Sequence, residues 1–283
     1  MRSKGRSFVA VVVLQIGMHL GAASLAAASP APDGTDRQSV YEIDPLIDGP
    51  IILAGAAATA VPYALATRII DPRCPCDRRE VDAWDRSVIG NRSHVAGLIS
   101  DLAVGAAVIV PVAFELLGTR RPYLTLIEDL TVYAEVLAIN GAAVTLVKHW
   151  IQRPLPRTYE GTDDHLVTTP YGYRAFYSGH TATAFAAMTA AAMTAGYRHG
   201  HRWWPWLATI AVGSTVAVGR VLGGHHFYSD VFVGAIAGTT VGVGVPLLHR
   251  RREPGQHAER WVVTPHVQIR DDATALLFSF APR

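Results

Sequence analysis

Three short stretches of the chain hold the residue types that can act together on an anion: Lys148 to Arg157, Tyr177-Ser178-Gly179-His180, and Gly219-Arg220 to Asp230. In the third, His226 and Asp230 stand four apart, on one face if the stretch is helical. A carboxylate that accepts a hydrogen bond from one imidazole nitrogen fixes the tautomer and leaves the other nitrogen a lone pair, the state a nucleophile needs. His225 lies about 100° around such a helix and reads as a neighbour rather than the nucleophile. In the second stretch Ser178 precedes an Ala-rich run and suits an N-cap, so the N–H groups behind it point out of the helix end, where Gly179 lets an anion approach the backbone. His180, on the first turn, is placed to protonate a leaving oxygen.

The first stretch supplies cations. Only two of the 25 basic residues are lysines, Lys4 and Lys148. A compact ammonium suits a phosphate as a point charge while arginine grips it in bidentate fashion, so Lys148 and Arg153 are complementary tools. Blander readings exist for each piece: a lysine snorkelling from a helix end, a capped helix with a surface histidine, or a zinc site of His180, His225, His226 and Asp230. Arg220 argues against the last, since a cation site repels a guanidinium.

The elements that position these residues are apolar. Half of the 283 residues are hydrophobic and 17% are charged, against about 25% charged in soluble domains. Segments at 49–70, 94–117, 123–147, 179–197, 203–223 and 227–248 approach the roughly 20 residues that span a bilayer. Counting crossings puts the three polar stretches on one side. Asp101, Glu115, Glu128, Asp129 and Glu135 fall within or at the ends of two segments and must turn inward. Gly234, Gly238 and Gly242 recur every four residues and predict a smooth face for close helix packing. A net charge of +2 gives no general attraction to nucleic acid. Cys74 and Cys76, the two cysteines, allow at most one bridge between near neighbours. Residues 1–28 have the order of a secretory signal or of a first membrane helix; 29–93 hold the first apolar helix and the Cys-Pro-Cys loop; 94–248 form the core; and 249–283 form an extramembrane tail whose two β-prone runs predict a hairpin.

Together the stretches resemble the type 2 phosphatidic acid phosphatase and vanadium haloperoxidase superfamily, with its pattern Lys-x6-Arg-Pro, Pro-Ser-Gly-His and Ser-Arg-x5-His-x3-Asp. The third motif matches at Arg220, His226 and Asp230, with Gly219 in place of serine; the second matches at Ser178-Gly179-His180, with Tyr177 in place of proline. The first is broken, because Leu155 stands where the family has arginine, and Arg153 or Arg157 is the expected replacement, Arg153 preferred. The resemblance covers roughly residues 94–248. It implies an all-α, six-helix membrane-type bundle and a metal-independent, cofactor-free phosphatase for a lipid phosphate. In it His226 attacks phosphorus, Asp230 orients His226, His180 is the acid and then the base, and Lys148, Arg153, Arg220, Ser178 and Gly179 hold the phosphate.

The basic clusters Arg120-Arg121, Arg198 to Arg202 and His249 to Arg252 lie on the side opposite the motifs, which predicts an inner-membrane protein with its site facing the periplasm or exterior. An exported N-terminus would reverse that sense. A phosphorylated lipid and the membrane are the expected partners, with no nucleic acid and no obligate protein. A degenerate phospholipid binder and a vanadate-dependent haloperoxidase are the alternatives.

Overall fold

A computed structural model describes residues 39–117 and 123–251, and the backbone of 261–270 and 273–282. The signal-like segment, Arg120-Arg121 and Arg252 lie outside the described residues. The helices are α1 (Pro45–Ala64), α2 (Ala66–Ile69), α3 (Ala83–Arg86), α4 (His94–Leu117), α5 (Tyr123–Ile151), α6 (Asp164–Thr168), α7 (Gly179–His199), α8 (Trp204–Leu222) and α9 (Tyr228–His249). α1, α4, α5, α8 and α9 are long and apolar enough to cross a membrane. Their outer faces carry large apolar side chains that the described residues leave uncovered: Phe114, Leu117, Trp150 and Leu248 are 74–85% exposed. Such a surface is stable only against lipid, and the chain is an all-α membrane protein.

α7 is the exception that explains its own composition. It packs against α4, α5, α8 and α9 at once, and its Ala182, Ala184, Ala186, Ala187, Ala190 and Ala192 are buried. A helix surrounded by helices needs small side chains, not the bulky ones that meet lipid. Its tightest partner is α9. A Cβ at Gly234, Gly238 or Gly242 would stand 2.7, 2.1 and 2.6 Å from the carbonyl oxygens of Ser178, Ala182 and Ala186, so the two helices run parallel, turn against turn, along a seam of glycine. α1 lies alongside α5 in the same sense, Gly55 against Ala138 and Gly141 against Thr59.

Charges inside the bundle are turned inward and matched. Arg198, near the end of α7, donates to both oxygens of Asp129 at 2.6 Å and to the Thr125 carbonyl at 3.2 Å. Glu135 and Asp48 both face His249 Nε2, at 3.1 and 3.3 Å. At the other end, the connection between α2 and α4 holds a disulfide between Cys74 and Cys76. The Cys74 N–H donates to the Tyr173 hydroxyl at 2.8 Å. Residues 36–251 form one compact unit. In the tail, β1 (Trp261–Arg270) and β2 (Ala273–Pro282) pair antiparallel from Trp261↔Pro282 to Arg270↔Ala273.

Candidate active site

The end of α5, the starts of α7 and α9 and the end of α8 meet around a cavity of about 160 Å³ lined by Lys148, Arg174, Gly179, His180, Arg220, His225 and His226, with Leu155, Tyr63 and Tyr171. Three local devices build it. At the α8–α9 connection the chain turns at Gly223-Gly224, and the N–H groups of His225 and His226 both donate to the Arg220 carbonyl, at 3.0 and 3.3 Å. Gly224 has φ +68°, and a Cβ there would lie 2.0 Å from the Asn91 carbonyl oxygen, so no other residue fits. At the start of α7, Ser178 caps the helix through Thr181 N–H, and its own N–H donates to the Asp230 carbonyl at 3.0 Å. That bond joins the second motif to the third.

The third device brings in a residue that no motif contains. Beyond α5 the chain extends through Arg153-Pro154-Leu155, and Leu155 N–H bonds Gly172 O at 2.8 Å while Ala175 N–H bonds Arg153 O at 2.9 Å. This strand-like pairing carries Arg174 to the cavity. The Arg174 carbonyl accepts from Lys148 Nζ, and its guanidinium lies over the rings of Tyr63 and Tyr171, at 4.7 and 5.4 Å.

His226 is buried, with Nδ1 3.7 Å from Asp230 Oδ2. Asp230 is fixed from three sides: Oδ2 accepts from Phe227 N–H at 2.8 Å, Oδ1 from Arg153 at 2.6 Å, and its backbone carbonyl from Ser178. Burial, with the Lys148 and Arg220 cations beside it, pushes the His226 imidazole down to about 3. Burial likewise pushes His225 down to about 4. Both rings are neutral at ordinary pH, and His226 has its lone pair for attack. Asp101 of α4 accepts from Arg220 and stands 3.2 Å from His180 Nε2, so one carboxylate serves both.

The structure brings Lys148, Gly179, His180, Arg220 and His226 to the cavity and sets Asp230 behind the His226 ring. It places Arg153 elsewhere. That guanidinium spans Asp230, Ser229 Oγ (2.8 Å) and Asp85 (2.9 Å), lies 4.2 Å over the Phe227 ring, and does not line the cavity. Asp85 and Asp230 engage both of its terminal nitrogens, so Arg153 holds Asp230. Arg157 lies toward Asp163, at 3.9 Å. Ser178 is buried completely, its hydroxyl engaged with Thr181. Arg174, Asp101, Asp85 and Tyr63 were not among the sequence candidates. For Asp101 the signal was present, a carboxylate in an apolar span.

Residues 129–254 match the family model of the PAP2 superfamily. No curated protein matches. Among solved structures, LpxE of Aquifex aeolicus is similar at 23% identity over 58% of this chain and 92% of its own, with a TM-score of 0.42. A transmembrane PAP2-type phosphatidylglycerolphosphate phosphatase of Bacillus subtilis is similar at 15% identity over 71% of this chain and 94% of its own, also at 0.42.

Proposed function

We propose that the protein is a membrane phosphatase that removes phosphate from a lipid phosphomonoester or diphosphate through a phosphohistidine on His226. The observation that carries this reading is the joining of two buried or half-buried histidines, from different segments, to one cavity with two cations that have no carboxylate partner among the described residues and a carboxylate behind one ring. His226 Nε2 attacks phosphorus in line, the bond from phosphorus to the lipid oxygen breaks, and His180 gives that oxygen its proton. Asp101 stands 3.2 Å from the Nε2 of His180. A water then attacks the phosphorus–nitrogen bond, His180 takes its proton, and phosphate leaves with His226 neutral again. The Nδ1–Asp230 separation of 3.7 Å needs to close by about 1 Å for a hydrogen bond, as such contacts do once a substrate is bound. Lys148, Arg220 and the Gly179 N–H face the equatorial oxygens.

A cavity of about 160 Å³ admits a phosphoryl group and no acyl chain, which leaves the tail in the bilayer around the exposed apolar helices. The disulfide lies in the connection that supplies Asp85 to Arg153, and disulfides persist in oxidising compartments, which supports a site on the periplasmic or outer side of the inner membrane. Arg198 and His249, each matched by carboxylates, stand at the opposite end. The test is phosphate release from short-chain phosphatidate and from a polyprenyl diphosphate in detergent with excess chelator, comparing wild type with His226→Ala. Turnover that survives the chelator and is lost in the variant supports the reading. Absence of turnover with either lipid by wild type, or turnover by the variant equal to wild type, sinks it.

A further inference from the structure

We infer that Arg174 is a phosphate-binding residue of this site and supplies the guanidinium that Leu155 does not; the inference rests on the phosphatase reading for the identity of the anion, not for its existence. The argument begins with which charges are already balanced. Around the cavity, Arg220 is paired with Asp101, and just behind it Arg153 is held by Asp85 and Asp230. Among the described residues Arg174 makes no ion pair, and Lys148 donates a hydrogen bond to the Arg174 carbonyl rather than to a carboxylate. Two cations without a counter-charge, side by side in a cavity with two histidines, present an electrostatic deficit that a dianion of phosphate size fills.

The second strand of the argument is preorganisation. A guanidinium free in solution loses much rotamer freedom on binding, but Arg174 is already laid across Tyr63 and Tyr171 as a planar group, which arginine does and lysine cannot. Tyr63 comes from α1 and is itself packed edge-on to His149, next to Lys148, with ring centres 5.3 Å apart. The third is position. The bonds Leu155 N–H to Gly172 O and Ala175 N–H to Arg153 O set residues 153–155 beside 172–175, so Arg174 and Leu155 belong to adjacent backbones lining the same cavity. A guanidinium lost from one backbone is regained from the other.

The experiment uses the full-length protein in detergent with two readouts, kcat/KM on a lipid phosphate and affinity for inorganic phosphate by 31P NMR titration. Arg174→Ala and Arg174→Gln, the latter keeping bulk between the two tyrosines, are compared with Leu155→Arg in each background, all with thermal melts. Expected are a loss of about 10²–10³ in kcat/KM, as for other preorganised donors, weaker phosphate binding, and recovery of at least a tenth of wild-type activity in Arg174→Ala/Leu155→Arg. Unchanged kinetics and phosphate affinity in both single variants overturn the inference. So does a loss of turnover with unchanged phosphate affinity and no recovery by Leu155→Arg, which marks a merely structural role. If wild type turns over neither lipid yet binds phosphate, and both variants weaken that binding, the Arg174 site stands and the phosphatase reading falls.

Discussion

The two ends of the helical bundle treat charge in opposite ways. At the end where α7 and α9 finish, Arg198 is almost wholly buried and grips both oxygens of Asp129, while His249 lies between Asp48 and Glu135. At the end where α7 and α9 begin, Lys148 and Arg174 face a cavity without a carboxylate, and the carboxylates nearby are spent on Arg153 and Arg220. The larger cavity, about 440 Å³, is at the balanced end and is walled mainly by apolar side chains such as Val110, Phe114, Met188 and Trp204. Size therefore does not locate the site; unbalanced charge does. In a chain surrounded by lipid, an ion pair closed on itself is architecture, and a cation left open awaits an anion from outside.

The comparison breaks first at His226. His226→Ala is expected to lower phosphate release more than about 10³-fold with the fold intact, because it removes the one imidazole of the cavity that has Asp230 behind it. A drop of less than tenfold would mean that the open end is not the chemical end. At the closed end the large effect is on stability. Arg198→Met takes from buried Asp129 the guanidinium that grips both its oxygens, a cost of about 3–5 kcal/mol, whereas Asp129→Leu/Arg198→Met is expected nearer wild type. Chemical or thermal unfolding in detergent reads the difference, and equal losses in single and double variants would show that the pair is not self-contained. Between the two ends lies the glycine seam: Gly238→Val, whose Cβ would meet the Ala182 carbonyl oxygen at 2.1 Å, is expected to cost about 1–3 kcal/mol and to lower kcat by parting the helices that carry His180 and His226. A variant with wild-type kcat would uncouple seam from site.

Acid sharpens the comparison further. The folded-state values of His226 and His225, about 3 and about 4, lie below the usual 6.5, so the unfolded chain takes up protons first. Their contribution to stability is complete above about pH 6.5 and is lost as pH falls toward 3. Melting temperature followed from pH 7 to 4 should fall, and fall less in His226→Gln; equal slopes would assign the acid sensitivity elsewhere. The smallest effect is expected from Cys74→Ser/Cys76→Ser, since closing so short a loop removes only about 1 kcal/mol of unfolded-chain entropy.

Much of the architecture is legible because it is local. The apolar segments at 179–197 and 227–248 coincide with α7 and α9 within two residues at either end, and the spacing of Arg220, His226 and Asp230 needs only one turn and one helix start to bring them together. The alanine content of α7 and the glycine period of α9 both signal close packing, although the seam does more than pack, since it sets Ser178 against Asp230. What the sequence hides is decided between distant segments. Arg153 follows Lys148 so closely that it looks like a ligand of the same anion, but Asp85, 68 positions earlier, takes its guanidinium. Arg174 carries no motif at all, and only the pairing of 153–155 with 172–175 shows where it goes.

Asp85, Asp101 and Tyr63 all precede residue 129, where the match to the superfamily begins, yet each holds a residue of the cavity or of its support. The recognisable catalytic segment is therefore not a cassette that works when transplanted. His226 and His180 travel within it, but Asp85, Asp101 and Tyr63, which touch Arg153, His180 and Arg174, precede it, so changes there can retune the site while every signature residue stays in place.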